Sequence, residues 1–121
     1  MNDHSFTAGI RRAGNNPRWS DVVIHRGVAR WVEVAEDQSA DFDGQAQQVL
    51  RQVDDTLKTL SAPKTSLLQV LIFISDLQFA ANFNKVWDAW VPAGAAPVRA
   101  CVQVGLSAGC LIELIVEAAV E

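Results

Sequence analysis

This chain has little charge of either sign, few metal-binding side chains and no long apolar run, and each shortage removes a class of function. Charged residues make up 20% of the 121 residues, and half of the chain is apolar. That balance leaves too little charge density for a disordered chain and ample material for a core. Ten basic residues against fourteen acidic give a net charge of −4, with Lys and Arg scattered along the sequence. A surface that tracks phosphates needs concentrated positive charge, so no specific nucleic-acid partner is expected. No stretch approaches the roughly 20 apolar residues of a membrane span, and the opening residues hold no apolar run of a signal peptide. The sequence therefore reads as a soluble, cytoplasmic protein without a membrane partner.

Two cysteines, Cys101 and Cys110, lack zinc-site spacing, and His4 and His25 cannot complete a cluster with them. No metal is expected. A Gly-rich phosphate loop and a G-x-S-x-G nucleophile elbow are also missing, so no cofactor is indicated.

What is present fits one domain over residues 1–121, near the commonest single-core size. Residues 1–16 mix glycine, asparagine and charge without a period, which predicts a loose arm. Asp21–His25 and Val28–Val34 are β-rich runs joined by Arg26-Gly27, the pattern of a tight hairpin. From Phe42 to Leu60, Ala46, Val49, Leu50, Val53, Leu57 and Leu60 recur at steps of three and four, which predicts an amphipathic helix. Asp41 is its expected N-cap, and Ser61-Ala-Pro63 ends it. Leu67–Ser75 is apolar on both alternating faces and reads as a central strand. Ser75-Asp-Leu-Gln78 suggests a capping box, and Phe79, Phe83, Val86, Trp87 and Trp90 follow with helical spacing. Pro97–Val104 and Cys110–Val120 read as two final strands.

The order ββαβαββ predicts an α+β fold with one mixed sheet and both helices on a single face. The other face would present Leu71, Phe73, Leu111 and Ile115 together. Such a patch marks a contact site, which predicts a homo-oligomer, the alternative being that the arm folds back over it.

Arg99 sits mid-strand among apolar neighbours. It can clamp a carboxylate bidentately or pair with Glu113, Glu117 or Glu33. Alternation along the strands places Glu113 on the same sheet face as Arg99, where a carboxylate could orient a water. Asn84, mid-helix, faces either a ligand or solvent. Trp19 either caps a pocket or packs in the core, and Cys101 is either an activated or an inert buried thiol. His25 reads as a surface histidine.

Four segments carry a resemblance: Arg18–His25 (RWSDVVIH), Asn82–Trp90 (NFNKVWDAW), Ala96–Val104 (APVRACVQV) and Leu111–Leu114 (LIEL). Together they resemble the RidA (YjgF) family of reactive-intermediate deaminases, in wording most similar to its YoaB-like branch. The resemblance implies a chorismate-mutase-like fold of the bacillus type, a homotrimer around a central barrel, and sites in the clefts between subunits. It implies hydrolytic deamination of 2-imino acids and their enamine tautomers, such as 2-aminoacrylate and 2-iminobutanoate, to 2-oxo acids and ammonia, without cofactor. A trimer that binds a small carboxylate without turnover is the alternative, and ribonuclease or holdase behaviour is a third reading. By resemblance Arg99 clamps the substrate carboxylate and Glu113 orients water. The backbone at Cys101 would bond the substrate, Asn84 would flank the cleft, and Trp19 stands where active members have tyrosine. Glu33 stands where many members have a site-lining glycine, so its carboxylate could meet Arg99. Gln103 occupies a place that is often glutamate.

Overall fold

The computed structural model describes residues 8–121. Residues 1–7 of the expected arm lie outside the described residues. Six strands form one sheet, and two helices cross between them. They run in the order β1 (Arg11–Ala13), β2 (Val22–His25), β3 (Val28–Val34), α1 (Phe42–Thr59), β4 (Leu67–Ile74), α2 (Ala80–Trp90), β5 (Val98–Gln103) and β6 (Ile112–Ala119). Across the sheet the order is β1-β2-β3-β6-β4-β5. Only β4 and β5 are parallel neighbours, and α2 makes the crossover between them. The α+β fold with a mixed sheet and two helices is as expected, but the element order is βββαβαββ.

The added strand comes from the expected loose arm. Gly14 (φ 97°) turns the chain so that Asp21 N–H donates to the Ala13 carbonyl at 2.8 Å. A Cβ on Gly14 would lie 2.7 Å from the Asp21 carboxyl group, so the return needs glycine for space as well as for φ. The Arg26-Gly27 turn has positive φ at both central residues (52° and 77°), the requirement of a type I′ hairpin that matches strand twist.

Helix α1 starts where Asp41 accepts from Gly44 N–H at 2.9 Å. Its apolar stripe buries Phe42, Ala46, Val49, Leu50, Val53 and Leu57 against the sheet. The box expected at Ser75 does not form. Asp76 instead accepts from Gln78 N–H (2.9 Å) over one 3₁₀ turn, Leu77–Phe79, and α2 begins after it. Leu77 N–H is held by Gln103 Oε1 at 2.8 Å, which gives Gln103 a structural task at the end of β5.

On the helix side, Ala29 and Trp31 (β3), Val70, Ile72 and Ile74 (β4), and Ile112, Leu114, Val116 and Ala118 (β6) form the core with Phe83 and Trp87 of α2. The opposite face carries Val32, Leu71, Phe73, Ala100, Val102 and Ile115, neighbours by register across β3, β6, β4 and β5. Val32 and Val102 are 52% and 42% exposed, so among the described residues this face carries an apolar patch that nothing covers. Leu111 differs: it precedes β6 and packs, partly buried, against the helix-side core. No helix among the described residues is long and apolar enough to cross a membrane.

Candidate functional site

The residues singled out from sequence fall into two groups at different edges of the sheet. The first is on β5 and α2. Alternation puts Arg99 and Cys101 on the helix side of β5, opposite Val70 and Ile72 of β4. There the Arg99 guanidinium lies 5.3 Å from the Trp87 ring centre and 5.8 Å from Phe83, and donates through Nη2 to Asn84 Oδ1 at 2.7 Å. These contacts hold the planar fork over aromatic faces, a geometry in which cation–π attraction contributes about 0.5–2 kcal/mol. None of the carboxylates offered as its ion-pair partner reaches it. Glu117 pairs with Arg30 at 2.9 Å, Glu33 is engaged elsewhere, and Glu113 is on the other face.

That last placement corrects the reading that Arg99 and Glu113 share a sheet face. Arg99 pairs with Val70 and Glu113 with Phe73. Positions 70 and 73 of one strand are an odd number of residues apart, so they point to opposite sides, and so do their partners. Within one chain the two do not converge.

The second group surrounds a cavity of about 710 Å³ whose lining includes Trp19, Asp21, Trp31, Glu33, Thr56, Ser107 and Glu113. It opens where β2 ends: β2 covers β3 only as far as Arg30, and the edge of β3 from Trp31 to Val34 has no strand beside it. Trp19, 61% exposed, stands at its rim rather than in the core. The carboxylate of Glu33 is fixed by three donors: Trp31 Nε1 (2.9 Å) and Thr56 Oγ1 (2.8 Å) on Oε2, and Gln52 Nε2 (3.2 Å) on Oε1. Glu113 makes no side-chain hydrogen bond among the described residues and is half-buried. The lining holds three carboxylates and no basic side chain.

Cys101 is half-buried, and burial pushes its thiol above the ordinary range, with the Arg99 charge acting in the opposite direction. Cys110 is buried, its Sγ 3.4 Å from the Ile112 carbonyl, and burial raises its thiol too. Neither is an activated thiolate. His25 is less exposed than expected: its Nε2 is buried, without a hydrogen-bond partner among the described residues. Among the described residues no group of His, Cys, Asp and Glu could hold a metal ion.

Sequence reading missed Trp31, Gln52, Thr56 and Ser107. Gln52 and Thr56 are four residues apart and so share one side of α1, a spacing visible in the sequence. Their common target, Glu33, lies 19 and 23 residues away and needs the packing of α1 on β3 to be found.

A family model described as Endoribonuclease L-PSP matches residues 17–120. The RutC family protein YoaB of Escherichia coli K12 is 44% identical over 97 residues, covering 80% of this chain and 85% of that protein. The chain belongs to the RidA/YjgF/L-PSP family, also called RutC. Solved structures agree. A member of the YjgF family from Neisseria meningitidis superposes with a TM-score of 0.85 at 33% identity, covering 93% of this chain and 95% of that one. An uncharacterized protein from Pseudomonas aeruginosa gives 0.87 at 32% identity, with 93% and 99% coverage. The RidA/YjgF fold thus stands on both sequence and shape.

Proposed function

We propose that this protein hydrolyses 2-imino acids and their enamine tautomers to 2-oxo acids and ammonia, in sites completed between copies of a homotrimer. The observation that carries the reading is Arg99. One of its donors is committed to Asn84, and among the described residues no carboxylate neutralises it and no strand lies beside the outer edge of β5, on which it stands. The remaining donors form a fork suited to a substrate carboxylate supplied from outside the chain.

In this reading the cavity of a neighbouring copy brings Glu113 and Trp19 to the carboxylate bound by Arg99. An iminium carbon is already electrophilic, so positioning carries most of the catalysis. Glu113, free of competing side-chain hydrogen bonds among the described residues, takes a proton from a water as the water oxygen bonds to the imine carbon. In the carbinolamine Glu113 returns that proton to nitrogen and takes up the hydroxyl proton as the C–N bond breaks and the C=O bond forms, which releases ammonia and a 2-oxo acid. Backbone groups beside Cys101 hold the substrate, and its raised thiol takes no nucleophilic part. No cofactor enters the balance.

A second reading, binding of a small carboxylate without turnover, is favoured by Glu33, whose fixed negative charge on the cavity wall opposes a simple anionic substrate. The endoribonuclease description attached to the family model fits poorly with a cavity bearing three carboxylates and no basic residue. The test generates imines in place with an amino acid oxidase while semicarbazide competes for them. Deaminase activity diverts imine to ammonia and 2-oxo acid, and Arg99→Ala abolishes the diversion. Saturable quenching of tryptophan fluorescence by 2-oxobutanoate without any turnover would favour the binder, and Glu33→Gly then asks whether removing the carboxylate restores hydrolysis.

A further inference from the structure

The carboxylate of Glu33 is held more firmly than a solvent-facing glutamate needs. Three donors from β3 and α1 fix it, two on Oε2 and one on Oε1. An ionised carboxylate offers about four acceptor positions, so one remains, on Oε1, beside the cavity that Glu33 lines. Donors that orient a carboxylate toward open space prepare it for a donor that arrives with the ligand. Glu113 and Asp21 line the same space, and the exposed indole of Trp19 stands at its rim. A cation entering here meets negative charge and an aromatic face together. At about 710 Å³ the cavity lies in the upper half of the range for small-molecule pockets, with room for a longer side chain than a four-carbon imino acid carries.

We propose that Glu33 is a specificity-determining residue that selects ligands ending in a guanidinium or ammonium group, so that the preferred substrates are 2-imino acids with a basic side chain. This rests on the imine-hydrolase reading for the chemistry, but the selection for a cation stands on the cavity itself. The ligand's carboxylate meets Arg99 of one copy, and its cationic end fills the last acceptor position of Glu33 in the next. A basic side chain also offsets the repulsion that Glu33 imposes on a substrate carboxylate.

The experiment compares imines made by the oxidase from arginine, norleucine and glutamate, which carry cationic, neutral and anionic side chains. The preference is read as a ratio of kcat/KM within each protein, so a variant with lower overall activity still reports, and thermal melting verifies that it folds. Wild type should favour the arginine-derived imine over the norleucine-derived one by about tenfold or more and disfavour the glutamate-derived one. Glu33→Gln should bring the first ratio near one, chiefly through KM. In parallel, calorimetric titration with 5-guanidino-2-oxopentanoate and 2-oxohexanoate measures the same ratio as Kd without turnover. If no imine is hydrolysed, the catalytic reading fails while the Kd ratio still decides on Glu33. Equal affinities in wild type, a ratio unchanged by Glu33→Gln, or no binding of either 2-oxo acid overturns the proposal.

Discussion

Gln45 is the one fully buried polar side chain among the described residues, and its replacement by methionine gives a sharp test of the packing argument. Its Nε2 donates to the carbonyls of Gly109 (2.8 Å), Ala40 (3.1 Å) and Gln38 (3.3 Å), and its Oε1 accepts from Leu111 N–H at 3.0 Å. Gln45→Met keeps the length of the side chain and removes every one of these bonds. The Leu111 N–H, part-buried, is left without its partner at a cost of about 1–3 kcal/mol, and the bond to the Gly109 carbonyl is exchanged for water in an exposed turn at a net loss of about 1 kcal/mol. The Ala40 and Gln38 carbonyls lie in a surface turn and can rotate to water. The added apolar burial returns about 1 kcal/mol, which leaves a net loss of about 1–3 kcal/mol. With an unfolding entropy of about 2.1 cal/mol/K per residue, a chain of this length should melt about 4–12 °C lower. Differential scanning calorimetry measures the shift, and hydrogen exchange at Leu111 should accelerate with it. A change under about 2 °C would mean that the 109–111 segment finds water instead, and the accounting would be refuted.

Arg99→Lys keeps the charge but loses the fork. It should lower kcat/KM by about 10- to 100-fold in the semicarbazide competition, the worth of one charge-assisted hydrogen bond, with Arg99→Ala lower still. Activity equal to wild type would remove the clamp from the mechanism. Asp41→Ala deletes the cap on Gly44 N–H and should cost about 1 kcal/mol, read as a melting shift of about 4 °C. Both thiols are raised by burial, so their alkylation rates should keep rising with pH after a free thiol has levelled off, and Arg99→Ala should push Cys101 further up. The sign for stability follows: the folded chain holds these protons after the unfolded chain has lost them, so stability falls as pH climbs through the ordinary thiol range and beyond.

The layer order was readable because α1 and β4 announce themselves by period: an apolar stripe at steps of three and four, then a run apolar on both faces. β1 was not, since three residues carry no period, and the strand exists through Gly14 and the Asp21 N–H rather than through its own side chains. Alternation sorted Arg99 and Cys101 from Val98 and Val102 correctly, yet it could not say which side of β5 matches which side of β6. That depends on register through β4, where Arg99 meets Val70 and Glu113 meets Phe73. Gln45 was open to a closer reading: it falls three residues after Phe42 and four before Val49, on the buried stripe. The partners of Glu33 were out of reach, because a hydrogen bond between strand and helix leaves no trace in local spacing.

Charge adds a constraint that no single element shows. Among the described residues Arg99 has aromatic neighbours and an amide but no carboxylate, while the cavity at the free edge of β3 has three carboxylates and no cation. Each half is electrostatically incomplete, and each stands at a part of the sheet that lacks a neighbouring strand. A fold that only needed stability would have joined Arg99 to a carboxylate of its own chain, as it joins Arg30 to Glu117. Leaving the halves apart makes sense when a second copy and a ligand of mixed charge bring them together, the ligand's anionic end at Arg99 and its cationic end at Glu33. On that argument occupancy of the site and association of the chains are thermodynamically linked, since a ligand that contacts both copies stabilises the assembly by its own binding free energy.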